Sequence, residues 1–250
     1  MLNYTTFGTD DAAAPLLIAH GLFGSARNWG VIAKRLSDRS KTVVVDMRNH
    51  AHSFWDASHS YEDLAKDLAK VIETIGAPMD VLGHSMGGKA AMVLALSRPE
   101  LLRKLVIADI GPTPYAHTQM GPIAAMRSVD FSKIERRSDL LEQLTGLEAG
   151  VPEFLAQSFD LATKTWRLNL DVLSGEMGKI VGFPDIDGRF DAPALFLSGA
   201  NSDYVKPEDR PRIKALFPQA KFAKIPDAGH WLHAEKPREF EAAVRVFLNT

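Results

Sequence analysis

Short apolar runs alternate along the chain with segments of helical periodicity. The runs are continuous, whereas a strand with one solvent-exposed face alternates apolar and polar residues, so they are typical of strands covered on both faces. The predicted strands are Pro15–His20, Thr42–Met47, Met79–Gly83, Lys104–Ile110, Ala194–Gly199 and Lys221–Asp227. Their alternation with helices predicts an α/β fold in which a mostly parallel central sheet carries helices on both faces.

Three segments between or after the strands predict helices. In the clearest, Ser60 and Asp63 fit an N-terminal cap and Gly76 fits a C-terminal stop. Its apolar residues fall on one helical face: Leu64, Leu68, Val71, Ile72 and Ile75. The other two predicted helices are Met86–Ser97 and Pro237–Leu248.

The alternation of strands and helices breaks between Pro112 and Arg189. The residues there predict helices without intervening strands, followed by a return segment rich in Gly and Asp, GKIVGFPDIDGRF. We therefore predict a helical cap, residues 112–189, inserted into an α/β core formed by residues 1–111 and 190–250.

Composition and charge limit the classes of binding partner and the cellular location that we expect. The 250 residues carry a formal net charge of −2, and no stripe of Lys and Arg suits nucleic acid or an anionic membrane. The N-terminal MLNYTTFGTDD is polar, and no apolar run approaches the roughly 18 residues that span a bilayer, so neither a signal peptide nor a membrane anchor is expected. The absence of cysteine excludes disulfides and thiolate sites and is compatible with the cytoplasmic location that we predict.

One segment, DVLGHSMGGKAAM, fits two motifs of different chemistry. Gly83 to Gly87 matches the G-x-S-x-G nucleophile elbow, with Ser85 as the nucleophile. Gly83 to Lys89 also matches the opening of a phosphate-binding loop, but such a loop needs Ser or Thr after its lysine to bind magnesium, and this chain has Ala90. A serine on a sharp strand-to-helix turn needs very small neighbours, which the two glycines provide. The segment therefore favours a serine nucleophile.

The segment HGLFGSARNW supplies candidates for stabilising negative charge. His20 and Gly21 follow a predicted buried strand, and the next amide, that of Leu22, can pair with the amide of Met86 at the start of the nucleophile helix. Such a pair would form an oxyanion hole, in which losing one donor typically costs about 10²–10³ in rate. Phe23 is the alternative donor. We predict that His20 is a structural, hydrogen-bonding residue.

The segment IPDAGHWLHAEKP places His230 in a loop after the last predicted strand. A general base must be neutral near pH 7, reach the serine and be held in one tautomer by a carboxylate. Serine, aspartate, histidine is the chain order that α/β-hydrolases use. His233 could pair with His230 at a metal, but no third ligand is evident. We therefore predict His230 as the general base, with no metal and no organic cofactor.

With these motifs in order, the chain resembles the α/β-hydrolases over nearly its full length and, among them, the small YbfF-type esterases and their mitochondrial relatives. The segments that carry the resemblance are HGLFGSARNW, VVVDMRNHAHSFW, GHSMGGKAAM, ADIGPTPY, SGANSDYV and AGHWLHAEKP. One departure is Ala51, where the family usually has glycine after Asn-His. This change lies in a loop expected beside the pocket and leaves the candidate catalytic residues untouched.

The resemblance leaves two candidates for the acid of the triad. In most α/β-hydrolases the carboxylate follows the strand before the histidine's strand, and here Ser202 occupies the usual position, with Asp203 one residue later. Asp109 lies at the end of the strand after the nucleophile helix, where the resembling esterases also carry an aspartate. We predict Asp109 as the acid and Ser202 as an additional hydrogen-bond partner. For Asp203 we predict a loop residue that caps the helix near Pro207.

The expected reaction is hydrolysis of carboxylic esters or thioesters through a Ser85–His230–Asp109 triad and an acyl-enzyme. The resemblance implies a small-molecule substrate with a short- to medium-chain acyl group, acyl-CoA-like thioesters included, and a cap that sets chain length. Two other uses of the same fold and triad stay open: a ligand-binding receptor, and a C–C bond hydrolase or perhydrolase. The oligomeric state stays open as well.

Aromatic residues near these motifs are candidates for lining a substrate pocket, although each could equally be a core residue. They are Phe23, Trp29, Phe54, Trp55, Tyr204 and Trp231. Three apolar residues of the predicted cap are candidates for setting chain length: Met126, Phe154 and Phe159.

Overall fold

A seven-stranded sheet forms the centre of the molecule. The computed structural model describes residues 1–9, 13–76 and 78–250, so Asp10 and Asp11 of the polar N-terminal segment lie outside the described residues. The described strands are β1 (Tyr4–Phe7), β2 (Leu16–Ala19), β3 (Thr42–Val45), β4 (Met79–His84), β5 (Leu102–Ala108), β6 (Phe159–Asp160), β7 (Thr165–Trp166), β8 (Ala194–Gly199) and β9 (Ala220–Ile225). The sheet order is β1-β3-β2-β4-β5-β8-β9, with β1 antiparallel to β3 and all other neighbours parallel. The predicted α/β fold with a mostly parallel sheet is confirmed.

Strand β1 was not expected from the sequence. It lies at the edge of the sheet, where its residues Tyr4 to Phe7 pair with Val45 to Thr42 of β3. Its four residues are half-buried or exposed, whereas every residue of β2 and β3 is buried. A short edge strand of this kind lacks the continuous apolar run that identified the inner strands.

The helices of the described residues flank this sheet or lie in the segment between β5 and β8. They are α1 (Gly30–Leu36), α2 (Tyr61–Ile75), α3 (Met86–Ser97), α4 (Met120–Arg127), α5 (Arg137–Gln143), α6 (Val151–Ala156), α7 (Leu170–Gly175), α8 (Met177–Val181), α9 (Arg210–Leu216), α10 (Leu232–Glu235) and α11 (Pro237–Asn249). In α2, the Ser60 side chain accepts a hydrogen bond from the Asp63 amide, and Gly76 ends the helix with a φ of +121°. The three predicted helices, α2, α3 and α11, are confirmed.

Two hydrophobic clusters cover the two faces of the sheet. In β2, Leu17 and Ala19 belong to the cluster that includes α2 and α3, and Leu16 and Ile18 belong to the cluster that includes α1 and α11. Successive strand residues point to opposite faces, so a strand that is apolar at every position requires cover on both sides. This sequence pattern therefore requires helices on both faces of the sheet.

The segment between β5 and β8, called the cap segment here (residues 112–189), has a hydrophobic cluster of its own. Helices α4 to α8 contribute most of it, and Phe23 from the core joins it. The cap segment is tied to the loop after β3 by backbone hydrogen bonds from Ala51 to Arg167 (2.7 Å) and from Asn169 to Asn49 (3.0 Å). It is therefore anchored beside the loop that follows β3.

The expectation that the cap segment would contain no strands is wrong. Strands β6 and β7 pair as a short antiparallel hairpin, with Phe159 opposite Trp166. In the turn between them, the Asp160 carboxylate accepts hydrogen bonds from the amides of Ala162 and Thr163 and pairs with Arg167 at 2.6 Å. Strands of two residues are too short to produce a periodic pattern, so sequence periodicity could not detect them.

A bilayer-spanning helix is not found among the described residues, because each helix there is too short or too polar to cross the apolar layer.

Candidate active site

Ser85 lies on a strained turn between β4 and α3. Its backbone has φ +51° and ψ −119°, a region that residues with a side chain seldom adopt. A Cβ atom at Gly83 would collide with the Gly87 carbonyl oxygen, and one at Gly87 would collide with the Ala19 carbonyl oxygen. The two glycines of the G-x-S-x-G pattern are thus required because backbone passes close to backbone on both sides of the serine.

His230 lies within hydrogen-bonding distance of both Ser85 and Asp109. Its Nε2 is 3.1 Å from Ser85 Oγ, and its Nδ1 is 2.7 Å from Asp109 Oδ2. Ser85 follows β4, Asp109 follows β5 and His230 follows β9, and these three strands are parallel members of one sheet. Carboxyl ends of parallel strands meet at one edge, which explains how residues far apart in sequence become neighbours. The tautomer that suits both contacts carries its proton on Nδ1.

The Asp109 carboxylate is fully buried and accepts hydrogen bonds from three directions. Oδ1 accepts from the Gly199 amide at 3.0 Å, and Oδ2 accepts from Ser202 Oγ at 2.5 Å and from His230. The backbone φ of Asp109 is +53°, which also lies in the left-handed region. Three donors hold the carboxylate in one orientation. The structure therefore brings the Ser202 hydroxyl to the Asp109 carboxylate.

Asp203 lies away from Ser85, His230 and Asp109. Its side chain is exposed, and within the described residues no hydrogen bond or ion pair joins it to His230. The prediction that Asp203 caps the following helix is wrong, since the Asp209 carboxylate accepts the hydrogen bond of the Lys206 amide there. The one-residue offset thus leaves Ser202 facing Asp109 and Asp203 facing solvent.

A tight turn, Gly21 to Gly24, presents one of the two amides predicted for an oxyanion hole. The Gly24 amide donates to the Gly21 carbonyl at 3.0 Å, and Phe23, third in the turn, has a φ of +64°. A positive φ at the third position characterises a type II turn. The Phe23 amide donates to His50 Nε2 at 3.2 Å and is therefore occupied. Of the two alternatives left open by the sequence, only the Leu22 amide is unengaged by protein acceptors across the described chain.

Met86, the first residue of α3, supplies the second predicted amide. The first amides of a helix have no acceptor within the helix, and across the described chain no other protein group accepts from the Met86 amide. The positive end of the helix dipole lies at the same point and favours negative charge. The amides of Leu22 and Met86 are thus both free to bind an anionic oxygen.

Sequence reasoning missed two residues that hold this turn. His50 accepts the Phe23 amide and donates from Nδ1 to the Arg48 carbonyl at 2.8 Å, and Ser158 of the cap segment donates from Oγ to the Phe23 carbonyl at 2.8 Å. Phe23 is therefore held at its amide, its carbonyl and its side chain, which compensates for its strained backbone. The Asn-His pair in VVVDMRNHAHSFW was the available signal for His50, and the sequence contained no signal for Ser158.

Several buried histidines surround the site in neutral form. Burial lowers the pKa of His20, His50 and His84, and it lowers the pKa of His59 to about 4. His20 donates from Nδ1 to the Gly21 carbonyl (2.8 Å) and accepts from the Met47 amide (2.9 Å), contacts that suit the structural role predicted for it. His84 donates from Nε2 to the His230 carbonyl at 2.9 Å. His84 thus anchors the loop that carries the candidate base.

The aromatic candidates separate into four groups. Tyr204 stacks on His230, with ring centroids 3.9 Å apart, and Trp231 contacts Phe154 of the cap segment at 5.5 Å. Trp29 is a core residue, stacked on His233 at 4.1 Å. Two others lie at the surface, Phe54 at 36% and Trp55 at 55% exposure. Tyr204 and Trp231 are thus the candidates beside the site, and Phe23 supports it from the turn.

Lys89 of the phosphate-binding pattern and His233 of the possible metal pair are both enclosed by protein groups. Lys89, the lysine of the phosphate-binding pattern, is buried and donates from Nζ to the carbonyls of Val181 and Gly182, and burial lowers its pKa to about 7. Within residues 1–9, 13–76 and 78–250, no three His, Asp or Glu side chains are grouped as metal ligands. His233 is enclosed by Trp29, His84 and Phe240.

Comparisons with known proteins extend over nearly the whole chain. A sequence model described as the alpha/beta hydrolase family matches residues 16–243. The sn-1-specific diacylglycerol lipase ABHD11 of Mus musculus is 39% identical over 263 residues, covering 99% of this chain and 85% of the relative. Esterase YbfF of Escherichia coli (strain K12) is 39% identical over 244 residues, covering 94% and 93%. The solved structure of a marine microorganism esterase superposes with a TM-score of 0.92 at 36% identity and covers 98% of both chains.

Proposed function

The chain belongs to the alpha/beta hydrolase family, and we propose that it is a serine hydrolase that cleaves carboxylic esters or thioesters through an acyl-enzyme. The relatives named as an esterase and a lipase support the esterase or lipase type of activity. The observation that carries the proposal is the continuous path from Ser85 Oγ through the His230 imidazole to the buried Asp109 carboxylate, with contacts of 3.1 and 2.7 Å.

In the acylation step, Ser85 Oγ attacks the carbonyl carbon of the substrate while His230 Nε2 takes the hydroxyl proton. The carbonyl oxygen becomes an oxyanion, and the free amides of Leu22 and Met86 are the donors available to it. Collapse of the tetrahedral intermediate breaks the bond to the alcohol or thiol, which leaves with the proton held by His230. The acyl group remains on Ser85.

In the deacylation step, His230 takes a proton from a water molecule that attacks the acyl carbon, and Ser85 regains its proton when the carboxylic acid is released. Asp109 keeps the Nδ1 proton of His230 facing the carboxylate, which leaves Nε2 free to act as the base. It also stabilises the imidazolium that forms in each step. No metal or organic cofactor is needed in this sequence.

For the substrate we propose a short- to medium-chain acyl ester or thioester. Support comes from the hydrophobic cluster of the cap segment, where Phe154 packs against Trp231 beside His230. A side chain in that position can limit the length of an acyl chain that extends from Ser85 toward the cap segment. Hydrolysis rates for esters and thioesters of matched acyl length measure the preference between the two substrate classes.

The experiment is steady-state and pre-steady-state hydrolysis of p-nitrophenyl acetate and butyrate, together with acyl-CoA thioesters of graded length. The wild-type protein should show continued turnover and labelling by a fluorophosphonate, and Ser85→Ala should lose both while remaining folded. Ser97→Ala, at the other end of α3 where Oγ donates to the Val93 carbonyl, is the matched control and should keep both. Stoichiometric acylation without turnover would instead indicate a ligand receptor. Activity only on substrates of C–C bond cleavage or of peracid formation would indicate a C–C bond hydrolase or a perhydrolase.

A further inference from the structure

The Tyr204 ring lies flat against the His230 imidazole. The ring centroids are 3.9 Å apart and the planes differ by 19°. The Tyr204 backbone is fixed on both sides, because its carbonyl accepts from Tyr115 Oη at 2.7 Å and its amide donates to Ser202 Oγ at 3.3 Å. Ser202 in turn donates to Asp109. The loop that carries the aromatic ring is therefore tied to the same carboxylate that orients the imidazole.

We propose that Tyr204 is a positioning residue for His230, whose ring face holds the imidazole plane and stabilises the imidazolium formed during catalysis. The proposal rests on the proposed function, in which His230 becomes positively charged as Ser85 loses its proton. The face of an aromatic ring attracts a cation and interacts more weakly with the neutral imidazole. The contact is consequently stronger in the transition state than in the ground state, which is the condition for a rate effect.

Tyr204 and Asp109 both contact the His230 imidazole directly, the first through its ring face and the second through its carboxylate. Within the described residues, other titratable groups near His230 or its loop include His84, His117 and His233. The Glu235 carboxylate accepts a hydrogen bond from the Gly229 amide in the same loop. Burial lowers the pKa of the three histidines, so they stay neutral at neutral pH. Burial, together with the carboxylates of Asp109 and Glu148, raises the pKa of Tyr204, so its ring stays an uncharged phenol.

The proposal predicts a specific pH signature for Tyr204→Leu. Removing the ring should lower the plateau of kcat/KM by roughly 5- to 30-fold, with KM nearly unchanged, because only the charged form of His230 loses a favourable contact. The same loss makes His230 harder to protonate, so the acid limb of the profile should move to lower pH by about 0.7–1.5 units, the logarithm of that factor. The two changes cancel at acidic pH, where the wild-type and variant rates should converge.

Two further variants separate this role from packing. Tyr204→Phe keeps the ring and should retain the wild-type profile. Tyr4→Leu, a half-buried tyrosine on β1 that packs on the same hydrophobic cluster, loses a similar side chain and should leave the profile unchanged. Thermal unfolding of each variant shows whether it is folded, and Tyr204→Met replaces Tyr204→Leu if the latter does not fold.

Three results would overturn the proposal. An equal loss of rate at every pH would mean that Tyr204 only supports the fold. A rise in KM with an unshifted acid limb would make it a substrate-binding residue, and an unchanged profile would give it no role. These failures are distinct from failure of the proposed function, which would show as hydrolysis retained by His230→Ala and Ser85→Ala.

Discussion

Asp109→Asn should reduce kcat by about 10⁴ while leaving the protein folded. The reason is the arrangement of donors around the carboxylate. The Gly199 amide is fixed in the backbone and donates to Oδ1, so the asparagine oxygen must take that position. The asparagine NH₂ group then faces His230 Nδ1 and Ser202 Oγ. The hydroxyl of Ser202 can rotate to accept, but Nδ1 can accept only if the imidazole proton moves to Nε2.

Moving the imidazole proton from Nδ1 to Nε2 prevents His230 from acting as the base. With hydrogen on Nε2, His230 presents a donor to Ser85 Oγ across the 3.1 Å contact and cannot accept the serine proton. A loss of 10⁴ corresponds to ~5.5 kcal/mol in activation free energy, far more than one ordinary hydrogen bond contributes to stability. Asparagine has nearly the volume of aspartate, so the thermal unfolding temperature should change much less than the activity does.

The assay is hydrolysis of p-nitrophenyl butyrate by Asp109→Asn and by Asp203→Asn, with kcat and KM determined separately. Asp203→Asn is the matched control, since it makes the same chemical change on an exposed side chain of a neighbouring loop. It should alter kcat by about twofold at most, as expected of a surface substitution away from the site. If Asp203→Asn lost activity on the larger scale and Asp109→Asn did not, Asp203 would be the acid and the geometric reasoning would fail.

Two other predictions follow from the turn Gly21 to Gly24 and from the cap segment. His50→Ala should lower kcat about 10- to 100-fold with little change in KM, because the buried Phe23 amide loses its acceptor and the turn loses its shape. His50→Gln should recover part of this loss. If His50→Ala were as active as the wild-type protein, the role given to His50 would be contradicted. Phe154→Ala should raise kcat/KM for longer acyl esters relative to acetate. Met126 is wholly buried in the cap segment, so Met126→Ala should instead lower the free energy of unfolding by about 2–5 kcal/mol and leave the chain-length preference unchanged. Unfolding curves and an ester series measure these two effects. A changed chain-length preference in Met126→Ala, with an unchanged one in Phe154→Ala, would refute these roles.

Local sequence was sufficient for the inner sheet and for the turn that carries the nucleophile. Continuous apolar runs such as TVVV of β3 mark strands covered on both faces, since successive side chains point to opposite sides. The spacing of Gly83, Ser85 and Gly87 indicates a tight turn, because only glycine tolerates the backbone contacts found there. The resemblance to α/β-hydrolases, drawn from such motifs, is confirmed by the family match.

Tertiary structure decided the questions that depend on distances between residues far apart in the chain. Asp109 and Asp203 were both plausible acids by position, and only the meeting of β5, β8 and the loop after β9 shows which carboxylate lies at His230 Nδ1. The choice between the Leu22 and Phe23 amides depended on His50, a residue from another strand end. Side-chain periodicity reports whether a residue is buried, but it carries no information about which buried residue lies opposite. That pairing is set by how strands and loops assemble in three dimensions.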